Sequence, residues 1–433
     1  MNSRKPSSNE RINFRAGVPD ILYRQAGGRC SVPRCKNPTM GPYYEKDGVV
    51  NMGVACHIYS ASKNGPRGQG GKSEEFISSE KNGIWCCQYH GALIDKNKGG
   101  DYPAEVLFAW KELAEARVRK QMNDSPSPLG WVESIELTSF PILSPLPKIN
   151  LYRNTLMWGK HGSGKTSLLE IAASVTNSCF AERFVNTKRL SECGESCPAT
   201  ISGKVVYSTV DNFDKEIFVE VKGPVISRCD GSRTYLLPPG DLEIIYCSFS
   251  NARKQEGEDD VDFFMRALGV DRSALYSLCD IGTKTIIPGD IRLSVSYAYD
   301  DENDKEYIER KSDGEPCYNI EIKVEGREFY VTYNGLSGSE KGRLIIDLMI
   351  TKAREICKER LTLLLIEEVS YNFDESNFER LLVSLSKEDF QSVVLVPPAR
   401  ENEILDNSAE LPSLRDKEYL RKWSLAVVGK NDC

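Results

Sequence analysis

Hydrophobic and polar positions divide the chain into two differently patterned parts. The stretch 102–121, YPAEVLFAWKELAEARVRKQ, places Val106, Leu107, Trp110, Leu113 and Ala114 at helical spacing. Pro103 stands near the helix start, where its missing N–H does no harm. From Trp131 the pattern changes. VESIELTSF alternates as a strand, NTLMWG reads as a second strand, and the apolar run SLLEIAASV reads as a helix. Short β-like runs follow between 200 and 250 (KVVYSTV, KEIFVEVKG, DLEIIYCSF), and a β-rich stretch covers 290–333. A helix is predicted from near Ser339, then the continuous apolar strand LTLLLI, a helix over 375–387 and the strand SVVLV. Strands alternating with helices around buried apolar runs predict an α/β core.

Length sets the domain count. A chain of 433 residues exceeds what one hydrophobic core usually serves. The pattern predicts a flexible basic arm over 1–20, a compact Cys- and Gly-rich domain over 21–120, a linker over 121–130, and an α/β domain over 131–433. Hydrophobic residues at 40% and charged residues at 27% fit an ordinary globular protein, and no apolar run is long enough for a membrane span. MNSRKPSSNERINFR has no apolar signal core, so a cytoplasmic location is expected. The net charge of −7 rules out a uniformly basic nucleic-acid binder. Arg4, Lys5, Arg11, Arg15, Arg24, Arg29, Arg34 and Lys36 nevertheless concentrate positive charge at one end, which suits contact with phosphate.

The most specific motif is Gly159–Thr166, GKHGSGKT, preceded by a strand and followed by a helix. Gly159, Gly162, Ser163 and Gly164 let backbone N–H groups turn toward phosphates at a helix N-terminus. Lys165 reaches the β/γ-phosphates, while Thr166, followed by Ser167, offers a hydroxyl to Mg²⁺. LTLLLIEE then ends a buried strand in two carboxylates, Glu367 for Mg²⁺ and Glu368 to polarise water.

Between these motifs, NGLSGSEKGR resembles the signature of the ABC ATPase superfamily, through Leu336, Ser337, Gly338 and Glu340, with Ser339 in place of a second Gly. EEVSYNFD is similar to the same family's D-loop run, with Asp374 at the Asp position. The resemblance covers 131–405 and points to the RecF, structural-maintenance-of-chromosomes and overcoming-lysogenisation-defect branch. It implies ATP and Mg²⁺ as cofactors, and a homodimer in which Ser337 faces the nucleotide held by the other subunit. Glu367 stands where Asp is usual, SVVLVPPAR supplies prolines where a switch His is expected, and Gln255 is a poorly framed Q-loop glutamine.

The 14 cysteines read as metal ligands and buried thiols. Cys30 and Cys35 form C-x4-C, and Cys87 and His90 form C-x2-H, two close pairs that suit tetrahedral Zn²⁺. Scattered free cysteines are the bland alternative. NMGVACHIYSASKNGPRG, SSEKNGIWCCQYHGALID and the Trp-Lys helix resemble a branch of the HNH endonuclease family over 20–118. The resemblance implies a small ββα-metal fold in which His57 is the general base and Asn82 orients the imidazole or shapes the loop. Asp95 is a candidate ligand for a catalytic metal, and Lys63, Arg67 and Lys72 are candidate phosphate contacts in the following loop. Cys56 replaces a frequent metal-binding Asp, and Gly91 replaces a third motif His.

The combined expectation is an α/β multidomain protein: a zinc-supported HNH module followed by an ABC-type P-loop ATPase. Its partner would be double-stranded DNA, cut under ATP control, in a system resembling Septu-type anti-phage defence with an additional defence-system protein. A non-catalytic zinc module on an ATP-driven DNA clamp, or an RNA nuclease, are the alternatives.

Overall fold

The computed structural model describes residues 11–33, 35, 37–43, 46–123, 130–190, 196–210, 212, 214–231, 233–248, 252–300, 304–408 and 411–429. The chain forms two units, one of Met1–Glu133 with Val206–Glu216 and the other of Ser134–Val205 with Ile217–Cys433. The fold is mixed α/β, as the sequence pattern predicted.

In the first unit, helix Val18–Gln25 leads to an antiparallel pair, Gly53–His57 with Gly83–Cys87, in which His57 lies opposite Gly83. Helix Gln88–Leu93 follows directly, and the predicted long helix runs from Ala104 to Asn123. Two small apolar clusters pack around the strand pair. One gathers Ile58, Ile84, Cys86, Ile94 and Leu107, and the other Val18, Leu22, Ala26 and Trp85. Of the predicted arm, residues 1–10 lie outside the described part, whereas 11–17 are tied to the unit by backbone hydrogen bonds. Of the predicted linker, 124–129 lie outside the described residues, and the helix reaches into its first positions.

The second unit is built on a five-stranded sheet ordered Leu242–Cys247, Leu361–Ile366, Gln391–Leu395, Asn154–Gly159 and Ser424–Val428. Every adjacent pair is parallel. Parallel sheets are covered on both faces, which explains why all six residues of LTLLLI are buried rather than alternating. The strand before the phosphate loop and the strand before Glu367 are separated by a single strand, so their carboxyl ends share one edge. That edge is where ligands bind in open α/β sheets.

Helices Asp260–Leu268 and Arg272–Ile281 pack beside helix Gly338–Ile356, and were not expected from the sequence pattern. The acidic run before them is structural. Asp259 caps the first helix and accepts the Tyr318 N–H at 3.0 Å, while buried Asp260 accepts the Ile320 N–H at 2.9 Å. Asp347, fully buried in helix Gly338–Ile356, gathers the N–H groups of Thr285, Ile286 and Ile287 on one oxygen at 3.1, 2.7 and 2.9 Å. Asp347→Ala leaves three buried donors without their acceptor. The expected cost is about 3 kcal/mol or more, read as a fall in the denaturation midpoint of this unit. An unchanged midpoint would show that the loop re-pairs by itself.

Candidate nucleotide, zinc and phosphodiester sites

Gly162 and Gly164 adopt φ of 76° and 85°, which turns the loop between strand Asn154–Gly159 and helix Lys165–Ala173. Gly159 is confined differently, since an added Cβ would lie 2.8 Å from the Val428 carbonyl. The loop lines a cleft of 740 Å³ together with Phe140, Ile142, Leu143, Glu367, Glu368 and Glu401. Lys165 Nζ donates to the carbonyls of Gly159 and Lys160 at 2.7 and 2.9 Å. Burial lowers its pKa, against the opposing pull of Glu367, Glu401 and Glu368. Ser163 Oγ is buried in this loop without a hydrogen-bond partner.

Glu367 is almost fully buried. Its two oxygens accept the hydroxyls of Thr166 and Tyr246, and burial pushes its pKa up. A hydroxyl and a desolvated carboxylate side by side are hard oxygen donors that suit Mg²⁺. Glu368 also lines the cleft, and its φ of 48° is unusual for a residue with a side chain. Sequence reasoning missed Tyr246, which sits on the neighbouring strand beside Leu365. It also missed Arg183, which lines the cleft and donates to Ser167 Oγ at 3.1 Å while pairing with Glu170. Burial raises the Glu170 carboxyl to about 7, despite Arg183. The apolar alternation of LEIIYC signals a strand but not which strand would pair with it, so Tyr246 could not be matched to Glu367.

Ser337, Gly338 and Glu340 do not line this cleft. Ser337 caps helix Gly338–Ile356, accepting the Glu340 N–H at 3.3 Å, while Glu340 accepts the Ser337 N–H at 3.0 Å and pairs with Arg327. Asp374 caps helix Glu375–Leu385 through the Asn377 N–H at 2.8 Å, and Asn377 accepts from Arg343 of the preceding helix at 3.2 Å. The two motif helices are thus joined to each other.

In the first unit Cys30, Cys35, Cys87 and His90 come together, with their ligand atoms all within 4.8 Å of one another. Cys35 and Cys87 sulfurs are 3.9 Å apart, and His90 Nδ1 lies 3.7 Å from Cys30 Sγ and 3.2 Å from Cys87 Sγ. Zinc–sulfur bonds of ~2.3 Å and zinc–nitrogen bonds of ~2.0–2.1 Å require tetrahedron edges of about 3.5–3.8 Å. The residues therefore fit tetrahedral zinc.

His57 closes its strand in a cleft of 330 Å³ shared with Arg11, Ser60, Arg67 and Asp95. Its Nε2 is buried and without a partner. Burial, helped by Arg11 and opposed by Asp95, lowers the imidazole pKa to about 4. Asn82 does not bond the imidazole. Fully buried, it accepts the Tyr59 N–H at 2.8 Å and donates to the Tyr59 and Ile77 carbonyls at 2.9 and 3.2 Å, so it shapes the loop. Arg67, expected to meet phosphate, is instead an internal pin whose side chain is only 5% exposed. It donates to the Ile58 and Ile94 carbonyls and to Asp95 at 2.7, 2.6 and 2.6 Å. Asp95 faces the cleft with one oxygen already engaged. Gly91 cannot be replaced by a third motif His at this backbone spacing, because even a Cβ would lie 2.6 Å from Val54 Cγ2.

Among solved structures, the chain is similar to an Smc head bound to the C-winged helix domain of ScpA, at 14% identity and a TM-score of 0.41, over 62% of this chain and 89% of that one. It is similar to an SMC head domain from Thermotoga maritima at 16% identity and a TM-score of 0.33, over 63% and 91%. It is also similar to the recombination mediator RecF with ATP at 12% identity and a TM-score of 0.39, over 65% and 94%. No protein-family model matches the chain, and no curated protein matches it. No helix among the described residues is long and apolar enough to cross a membrane.

Two measurements test these sites. Purified chain should carry about one zinc, and Cys87→Ser should lower that content and destabilise the first unit. Full zinc occupancy in the variant would remove Cys87 from the ligand set. Tyr246→Phe should weaken the Mg²⁺ dependence of nucleotide binding about tenfold while metal-free binding is unaltered. An identical Mg²⁺ titration would deny Tyr246 any role in holding Glu367.

Proposed function

We propose that the protein is an ATP-regulated, metal-dependent endonuclease that hydrolyses phosphodiester bonds in double-stranded DNA. The observation that carries this reading is His57, with Nε2 unpartnered in a cleft lined also by Arg11 and Asp95, in the unit that holds the Cys30–Cys35–Cys87–His90 cluster. A depressed pKa keeps the imidazole neutral at physiological pH, the state that accepts a proton from water. A divalent ion near Asp95 would stabilise charge on the scissile phosphate.

The second unit supplies control. Gly159, Gly162, Ser163, Gly164, Lys165, Thr166 and Ser167 would hold ATP, Glu367 with Thr166 its Mg²⁺, and Glu368 the attacking water. Ser337, Gly338, Glu340 and Asp374 lie off their own phosphate cleft, which supports their use across a homodimer. The expected role is anti-phage defence, alongside an additional defence-system protein, and it rests on the resemblance alone. A second reading, an ATP-driven DNA clamp with a non-catalytic zinc module, is favoured by Gly91 and by the engagement of Asp95 with Arg67.

Plasmid nicking with Mg²⁺ separates the two. Wild type should nick, His57→Ala should lose at least about a hundredfold in rate, and Lys165→Ala should lose only the response to ATP. Because the folded His57 pKa is lowered, its basic form persists until pH falls through about 4, so nicking should hold at a pH where an ordinary histidine is protonated. Equal nicking by wild type and His57→Ala ends the nuclease reading. Retention of DNA without scission would establish the clamp.

A further inference from the structure

The strand Tyr318–Val324 turns back into the short strand Val331–Thr332, with Ile322 opposite Val331 and Glu321 opposite Thr332. Gly326, at a φ of 87°, makes the turn, and the Arg327 N–H closes it on the Val324 carbonyl at 2.9 Å. Thr332 then leads through the single turn Tyr333–Gly335 and buried Leu336 to Ser337. The strand pair therefore brings Arg327 to the start of helix Gly338–Ile356.

A chain of hydrogen bonds runs from Arg327 into that helix start. Arg327 Nη2 donates to Glu340 Oε1 at 2.5 Å. Glu340 Oε2 accepts the Ser337 N–H at 3.0 Å and the Ser337 hydroxyl at 2.9 Å. The hydroxyl oxygen in turn accepts the Glu340 N–H at 3.3 Å. The Arg327 side chain is 38% exposed and that of Glu340 only 13%. Burial alone would push the Glu340 carboxyl up, but the Ser337 donors and Arg327 outweigh it and hold its pKa below the ordinary value.

A serine hydroxyl has one proton to give. Here Ser337 gives it to Glu340. To donate to a phosphate, the hydroxyl must turn outward, which leaves Glu340 Oε2 with the Ser337 N–H. A largely buried carboxylate that loses a donor must keep its remaining partners or move. Arg327 grips the other oxygen through a charge-assisted bond, so Glu340 stays in the cap while the serine turns. Arg327 lies outside the signature run, so the motif does not reveal it.

We infer that Arg327 is a positioning residue of the signature: by holding Glu340, it lets Ser337 turn its hydroxyl to a phosphate held by a facing copy of this chain. This rests on the reading of Ser337 as a group used across a homodimer.

Arg327 does not line the chain's own phosphate cleft, so nucleotide binding and ATP-driven association can be read separately. Sedimentation of the full chain with Mg²⁺-ATP measures association, and titration of the dilute chain measures nucleotide affinity. Arg327→Gln should weaken association by about tenfold and leave the affinity for Mg²⁺-ATP unaltered. Arg327→Lys, which keeps the charge, should recover part of the loss. In a Glu340→Gln background, Arg327→Gln should add no further loss. Wild-type association in Arg327→Gln overturns the inference. So does an undiminished loss in the Glu340→Gln background, because Arg327 would then act by another route. A parallel fall in nucleotide affinity overturns it as well, since the effect would not be confined to the signature. If the wild type binds Mg²⁺-ATP without associating, the cross-dimer reading fails and this inference falls with it.

Discussion

The second unit depends on how a buried carboxylate is held. Glu367 is pulled out of water at the end of a strand whose residues are all buried, and burial alone would drive it toward its neutral form. Two hydroxyls offset that tendency, Thr166 from the helix after the phosphate loop and Tyr246 from the adjacent strand. Each of the three residues comes from a different element, so their meeting requires the strand order to be right. Because these strands all run parallel, Thr166 and Glu367 meet at the same end of the sheet. The carboxylate thus works as a check on the fold and as a place for a cation. The extra methylene of Glu over Asp fits a site whose second oxygen must also reach a tyrosine on a neighbouring strand.

The first unit solves a different problem. Its apolar clusters are small, and small cores contribute little net stability. Zinc at the Cys30–Cys35–Cys87–His90 cluster would join the turn before the strand pair to the strand end and helix after it, supplying cross-links that the core lacks. The same need for close approach explains Gly91. The helix carrying His90 packs so near Val54 and Cys56 that no side chain fits there.

How much of this was legible in the sequence depended on whether the information was local. The strand, loop and helix around Gly159–Thr166, the buried strand LTLLLI and the two close Cys/His pairs were legible as segments, because spacing and periodicity are properties of adjacent residues. The helices over 260–281 were missed although Asp259, Asp271 and Gly269 mark their ends, since the acidic residues drew attention away from the apolar face of Phe263, Phe264, Leu275 and Leu278. Tyr246 and Arg183 were invisible for another reason. Their partners lie far away in sequence, and nothing in a tyrosine or arginine codon specifies the strand or side chain it will meet. Arg67 was misjudged because a charged residue in a Gly-rich loop looks solvated until its carbonyl acceptors are known.

The placement of His57 raises a tension that the chemistry must resolve. Lowering the pKa to about 4 keeps the ring neutral, yet it also makes the nitrogen a weaker base. Burial and Arg11 cause the depression. Under the endonuclease reading, a phosphodiester would bring negative charge beside Arg11, and the repulsion that disfavours the imidazolium would fall. Asp95 already acts in that direction. Basicity would then rise with substrate bound and fall without it. On that reading the proton acceptor would be strongest with a nucleic-acid backbone bound, which would limit adventitious chemistry at Nε2. The arrangement requires the cation and the imidazole to sit in one cleft on separate stretches of chain. That is the geometry formed by the residues before the first helix and the end of the strand Gly53–His57.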